Sequence, residues 1–223
     1  MIDAFLKAIR QLGDPAIRRV LWLGIGVSLA VFAALWSGVG YLLTQTTFFQ
    51  TGWLDTAVDA LGGIATLAIS WFLFPVVISA FVGLFLERIA EAVERRHYPA
   101  LPPARDVPFG EALTGSLRFL GLTLALNILV LLFLIVPPVF PFVFYGVNGY
   151  LLSREYFEVV AARRMTAPAV RELRRRHMRR LFAAGLLVAF LLTVPIVNLL
   201  APIVGTAAMV HIFHRLRGAT PAP

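Results

Sequence analysis

Charged residues fall in clusters along the chain, and between the clusters lie four long runs without any, at residues 20–43, 60–86, 119–153 and 181–210. A helix that crosses the roughly 30 Å hydrocarbon layer needs about 20 residues. The first two runs hold 24 and 27 residues, and each predicts one full transmembrane helix. The second is long enough to tilt, or to kink at Pro75. The third and fourth runs, of 35 and 30 residues, are too long for one straight crossing. They are also short for two crossings: arms of about 17 and 14 residues reach only about 25 and 21 Å at 1.5 Å per residue. Prolines stand in the middle of both, as Pro137-Pro138-Val139-Phe140-Pro141 and as Pro195 and Pro202. Proline removes a helix donor and clashes with the preceding turn, so it sets the place of a break. Basic residues flank both runs on both sides, which keeps the two ends of each on one side of the membrane. The pattern therefore predicts two re-entrant, hemi-penetrating helical hairpins, at 119–153 and 181–213. Irregular backbone at that depth requires protein or a water-filled path around the tip.

The charged segments complete an all-α, polytopic membrane fold in a single membrane domain. Residues 1–19 place Phe5, Leu6, Ile9 and Leu12 on roughly one helical face, an amphipathic helix for the membrane surface. Gly13-Asp14-Pro15 closes it, with Asp14 as N-cap and Pro15 as first residue of the next helix. The second span continues as a charged extension to residue 97, where Glu91 and Arg95 form an i,i+4 pair in the favourable order. Residues 98–108 hold four prolines and form a stiff connector. Residues 154–180 carry nine arginines and divide at Thr166-Ala167-Pro168 into two helices. The connector 44–59 has no basic residue and becomes the external loop, which places both termini in the cytoplasm.

Composition sharpens this reading. A mean hydropathy of +0.83 with 59% hydrophobic residues is that of a multi-pass membrane protein. The net charge of +8 could suggest nucleic acid, but its basic residues flank the apolar runs, as expected beside anionic phospholipid; no nucleic-acid partner is expected. The chain has no cysteine, which removes disulfides, thiolate metal sites and thiol catalysis. The run after Arg19 is too long for a signal-peptide core, so the N-terminus is expected to be retained.

No catalytic constellation is visible, and the chain is not expected to be an enzyme or to hold a metal or cofactor. His97 and His177 lie in basic segments, while His211 and His214 close the last hairpin and read as interfacial anchors. No ionisable group lies deep in an apolar run, which favours a passive route over proton coupling. The candidate anion site is Pro15-Ala16-Ile17-Arg18-Arg19. Unpaired amides at a helix start bind oxyanions, and two arginines add planar, permanent cations. The same arginines could merely fix orientation, but cations there oppose the helix macrodipole, a conflict that a bound anion resolves. Asn127, Asn148 and Asn198 interrupt apolar runs; such amides satisfy backbone at kinks, bridge helices or line a path. Asn148, Pro195, Asn198 and Pro202 are the pathway candidates, since broken segments in corresponding positions point to a substrate route.

Three stretches give the chain a resemblance to the CysZ family of bacterial sulfate permeases, within the etoposide-induced-protein superfamily. Pro15-Ala16-Ile17-Arg18-Arg19 is similar to the family's G-L/I-R-R sequence; Ala80-Phe81-Val82-Gly83-Leu84-Phe85-Leu86-Glu87 resembles its A-P-F-N-G-L-L-A-E stretch. Val194-Pro195-Ile196-Val197-Asn198-Leu199-Leu200-Ala201-Pro202 with Ala207-Ala208-Met209 resembles its I-P-L-L-N-L-x-x-x-P and A-x-A-M segment. Ala16 replaces the family's glycine, and Ala80 and Val82 replace its proline and asparagine. The resemblance implies a bacterial inner-membrane location, homo-oligomeric assembly around a pathway, and sulfate contact at Ala16, Ile17, Arg18 and Arg19.

The expected function is passive movement of sulfate or a similar small oxyanion. The rival is a non-transporting membrane scaffold or assembly protein that docks a cytoplasmic partner or anionic lipid through its arginine-rich segment.

Overall fold

The computed structural model describes residues 2–45, 61–67 and 85–218. Most of the expected second span, 60–86, lies outside the described residues, as do the connector 44–59 beyond Gln45 and the Ala80 and Val82 positions. All regular structure among the described residues is helical. Helix α1 is Ile2–Arg10, followed by a 3-10 turn at Gln11–Gly13, and α2 is Pro15–Gln45. After Phe85 come α3 (Leu86–His97), α4 (Phe109–Leu132) and α5 (Phe140–Ala162). The chain continues through α6 (Ala167–Arg176), α7 (Met178–Thr193), a single turn α8 (Pro195–Asn198) and α9 (Ala201–Leu216). It divides into two compact units, one of Met1–Arg18 with Phe85–Pro223 and one of Arg19–Leu84.

Both expected breaks occur at their prolines. Between α4 and α5 the helix tightens into a 3-10 turn at Phe133–Ile135 and stops at Val136, directly before Pro137-Pro138. Between α7 and α9 the chain leaves the helix at Val194, before Pro195, and re-enters at Ala201 with Pro202 in the first turn. In each case the two arms pack on one another. Among the described residues two segments are long and apolar enough to cross a membrane, Ile17–Gly38 and Phe109–Ile135. The second begins ten residues before the uncharged run, because nothing between Pro108 and Arg118 stops a helix. Its flank is covered with exposed Leu120, Leu124, Ile128, Leu131 and Leu132, a surface suited to lipid tails.

The core of the larger unit is α9, whose side chains from Ala201 to His214 are all buried. A helix that is apolar all round belongs inside a bundle, and α9 packs against α1, α3, α5 and α7. Its small residues allow close neighbours: a Cβ on Gly205 would sit 2.8 Å from the Tyr156 ring. Gly218, with φ of 76°, closes the helix end in the left-handed conformation that glycine adopts freely.

Helices α5 and α7 touch even more closely. A Cβ on Gly185 would overlap the Gly149 carbonyl oxygen and lie 2.7 Å from Ser153 Cβ. Small residues at such crossings let backbones approach within the membrane. Gly185→Ala should therefore push α5 and α7 apart at a cost of about 1–3 kcal/mol. A thermal unfolding midpoint lowered by several degrees is expected, and an unchanged midpoint would contradict the contact.

The N-terminal helix is amphipathic, and one flank of it packs inside the larger unit. Ala4, Phe5, Ala8 and Gln11 are buried, while Leu6 and Ile9 are half exposed. Small alanines let α1 lie close on α9, which leaves Leu6 and Ile9 on its outer face. Arg215 donates to Asp3 at 2.6 Å across the same contact.

Candidate functional site

The first turn of α2 starts at Pro15, which has no amide hydrogen and is preset for helix entry. The Arg18 amide donates to the Asp14 carbonyl at 2.9 Å, the first intrahelical bond. The amides of Ala16 and Ile17 precede it and have no acceptor within the helix. The Asp14 carboxylate accepts from Arg96 of α3 at 3.0 Å, which ties this turn to the charged extension. Ile17 is buried and anchors the turn, whereas Arg18 and Arg19 are exposed. Among the described residues neither arginine has a hydrogen bond or ion pair. The turn thus offers two guanidinium groups and the positive end of a 31-residue helix.

The pathway candidates stand on the two hairpins. Asn148, on α5, donates to the Phe144 carbonyl one turn back at 2.8 Å, and Asn127 on α4 does the same to Thr123. Both amides therefore satisfy their own helices. Pro195 opens α8, Asn198 closes it, and Pro202 is buried in the first turn of α9. Tyr145, one turn before Asn148, donates to Thr193 at 3.2 Å, directly before the Pro195 turn. That bond brings the first half of α5 to the tip of the last hairpin.

The sequence gives less warning of a buried polar centre in the same unit. Glu94 is 3% exposed, and its carboxylate accepts from Arg164 Nε at 3.1 Å, from Arg164 Nη2 at 2.8 Å and from His214 Nε2 at 3.0 Å. Arg163 adds a longer contact at 3.5 Å, and Arg164 also donates to the Pro102 carbonyl. Burial pushes the Glu94 carboxyl up, but hydrogen bonds from His214 and Arg164, with the charges of Arg164 and Arg163, bring it down to about 2. The Tyr98 ring lies 4.2 Å from that of His214, and its hydroxyl is 3.1 Å from His211 Nδ1. Burial raises the Tyr98 phenol to about 12, so it stays neutral.

This corrects the reading of His211 and His214 as interfacial anchors without a carboxylate. Both are buried, and Glu94 holds His214. A signal was available: Leu86, Ile89, Ala90 and Val93 form the buried stripe of α3, and Glu94 lies one turn after Ala90 on that stripe. No group of three or more metal-ligating side chains occurs among the described residues.

The centre joins α3, α5 and α9 and borders a 360 Å³ pocket lined by Pro102, Arg105, Arg163, Arg164, His214 and Arg217. Arg118 of α4 and Arg154 of α5 line a second pocket of 600 Å³ with Glu155 and Glu158. Arg154 itself is paired with Glu158 at 2.9 Å.

A family model described as sulfate transporter CysZ/etoposide-induced protein 2.4 matches residues 4–202. No curated protein matches the chain.

Proposed function

The chain belongs to the sulfate transporter CysZ/etoposide-induced protein 2.4 family, and we propose that it moves sulfate, or a small oxyanion of like charge, passively across the bacterial inner membrane. The observation that carries this reading is the first turn of α2, where Arg18 and Arg19 stand exposed at a helix start. Exposed cations at that end work against the helix dipole by about 0.3–1 kcal/mol each. A captured dianion reverses the sign of that interaction and uses the amides of Ala16 and Ile17 as additional donors.

In this reading both broken stretches are re-entrant hairpins. The uncharged part of the first arm, 119–135, spans about 25 Å, short of the roughly 30 Å hydrocarbon layer. Arg118 and Arg154 meet in one pocket, so the two arms start and finish at one level. The α8 turn is supported because α9 behind it is surrounded by protein, the condition under which irregular backbone is tolerated at depth. The exposed flank of α4 faces lipid or a second copy, and copies assembled around Asn148, Pro195 and Asn198, with Pro202 buried behind them in α9, enclose the route. Both termini lie in the cytoplasm, and the exposed Arg171, Arg175, Arg176, Arg179 and Arg180 contact anionic phospholipid.

Those same five exposed arginines favour the second reading, a scaffold docking a partner or lipid. Labelled-sulfate uptake by the purified protein in lipid vesicles separates the two. A pathway gives uptake above empty vesicles, retained when Arg175 and Arg176 are both changed to Gln. The scaffold gives none at any salt concentration.

A further inference from the structure

At the arginine-rich end of the larger unit, the 360 Å³ pocket beside Glu94 is formed by the connector before α4, the end of α5 and the end of α9. Its walls carry four guanidinium groups, from Arg105, Arg163, Arg164 and Arg217. Two carboxylates touch them: Glu94 on Arg163 and Arg164, and Glu111 on Arg105 at 2.7 Å. Four positive and two negative groups leave a surplus of two positive charges, before His214 is considered. Two buried donors on these residues, Arg105 Nε and Arg163 Nε, have no partner among the described residues. A buried N–H without an acceptor is costly, and both belong to residues that line this pocket. The site is also held in shape. The Arg105 amide donates to the Arg163 carbonyl at 2.8 Å, Glu94 holds Arg164 by two hydrogen bonds, and Arg217 lies over the Phe213 ring at 5.7 Å. Planar donors fixed in this way suit a multivalent tetrahedral anion better than a single carboxylate.

We propose that this pocket is a second oxyanion site, built from residues other than those of the α2 first turn, that takes a doubly charged tetrahedral group, a sulfate or a phosphate. The group comes either from free ions in solution or from the headgroup of a phosphatidate-type lipid. Its occupancy adds to the bonds that already tie the connector 98–108 to the ends of α5 and α9, from Arg164 to the Pro102 carbonyl, from the Arg105 amide to the Arg163 carbonyl and between Tyr98 and His211. The site stands independently of transport through the α2 turn.

The test uses the full chain carrying Arg18→Gln and Arg19→Gln, in lipid-free detergent, so that the first-turn arginines contribute nothing. Calorimetric titration with sodium sulfate and sodium phosphate at constant ionic strength, then with short-chain phosphatidate, reads the pocket. Added Arg217→Gln, at an exposed position, should weaken binding about tenfold, as expected for one charge-assisted contact. Arg163→Gln should do the same, and an unchanged unfolding midpoint without ligand excludes collapse as the cause. Binding of free sulfate or phosphate that both substitutions weaken supports the site and assigns its ligand to solution. Binding of phosphatidate alone, weakened by the same substitutions, supports the site and assigns the ligand to lipid. Absence of binding by all three probes, or binding indifferent to both substitutions, overturns it.

Discussion

Replacing Arg18 and Arg19 together by Gln should reduce sulfate uptake into vesicles by at least tenfold while leaving the amount of folded protein unchanged. In the proposed site each guanidinium would supply charge-assisted hydrogen bonds to the dianion, and one such bond is worth about 1.5–3 kcal/mol, or roughly tenfold to a hundredfold in affinity. Both side chains are exposed and neither is paired among the described residues, so their loss removes no packing. Lys at both positions should recover part of the uptake, since charge is kept and the planar fork is lost. Equal uptake by the Gln variant and the parent would reject the α2 turn as the capture site.

The second large effect is on stability. Glu94→Gln should cost about 3–5 kcal/mol, because it leaves the Arg164 and Arg163 charges buried beside a neutral amide. The side chains of Arg164 and Glu94 are 9% and 3% exposed, so solvent does little to compensate. In the cycle with Arg164→Gln, the double variant should lose less than the sum of the singles. Additive losses would show that the pair does not act as a unit. Acid has the same effect as the substitution. A carboxyl whose native value is lowered to about 2 contributes stability that is fully present above its ordinary value, near 4.5, and that disappears as pH falls towards 2. Glu94→Gln should therefore flatten the loss of stability between about pH 5 and 2.

The breaks in the two hairpins were legible because proline acts locally: it removes a donor wherever it sits, and the prolines at 137–138 and at 195 mark the observed helix ends. The division at Thr166-Ala167-Pro168 was legible for the same reason, with Thr166 as the residue before α6. Charge spacing was less informative about length. Glu111 and Arg118 did not prevent α4 from running back to Phe109, since a helix accommodates charged residues without ending. The flank of α1 that meets α9 is less legible, because Ala4 and Ala8 carry little apolar area and gain their contacts by letting α9 come close. The Glu94 centre is illegible for a different reason. Its members lie at 94, 163, 164 and 214, and no local period links carboxylate, guanidinium and imidazole groups that meet only in the folded unit. Arg18 and Arg19 are neighbours in one turn, so their proximity needs no tertiary contact.

The central claim is that this chain is itself a passive route for an oxyanion. It is tested most directly by the flux of labelled sulfate into vesicles holding only the purified wild-type protein, driven by the sulfate gradient alone. Saturable uptake above that of empty vesicles, unchanged by a protonophore, is the expected result. Uptake no greater than that of empty vesicles, or uptake that vanishes when the proton gradient is removed, would contradict it.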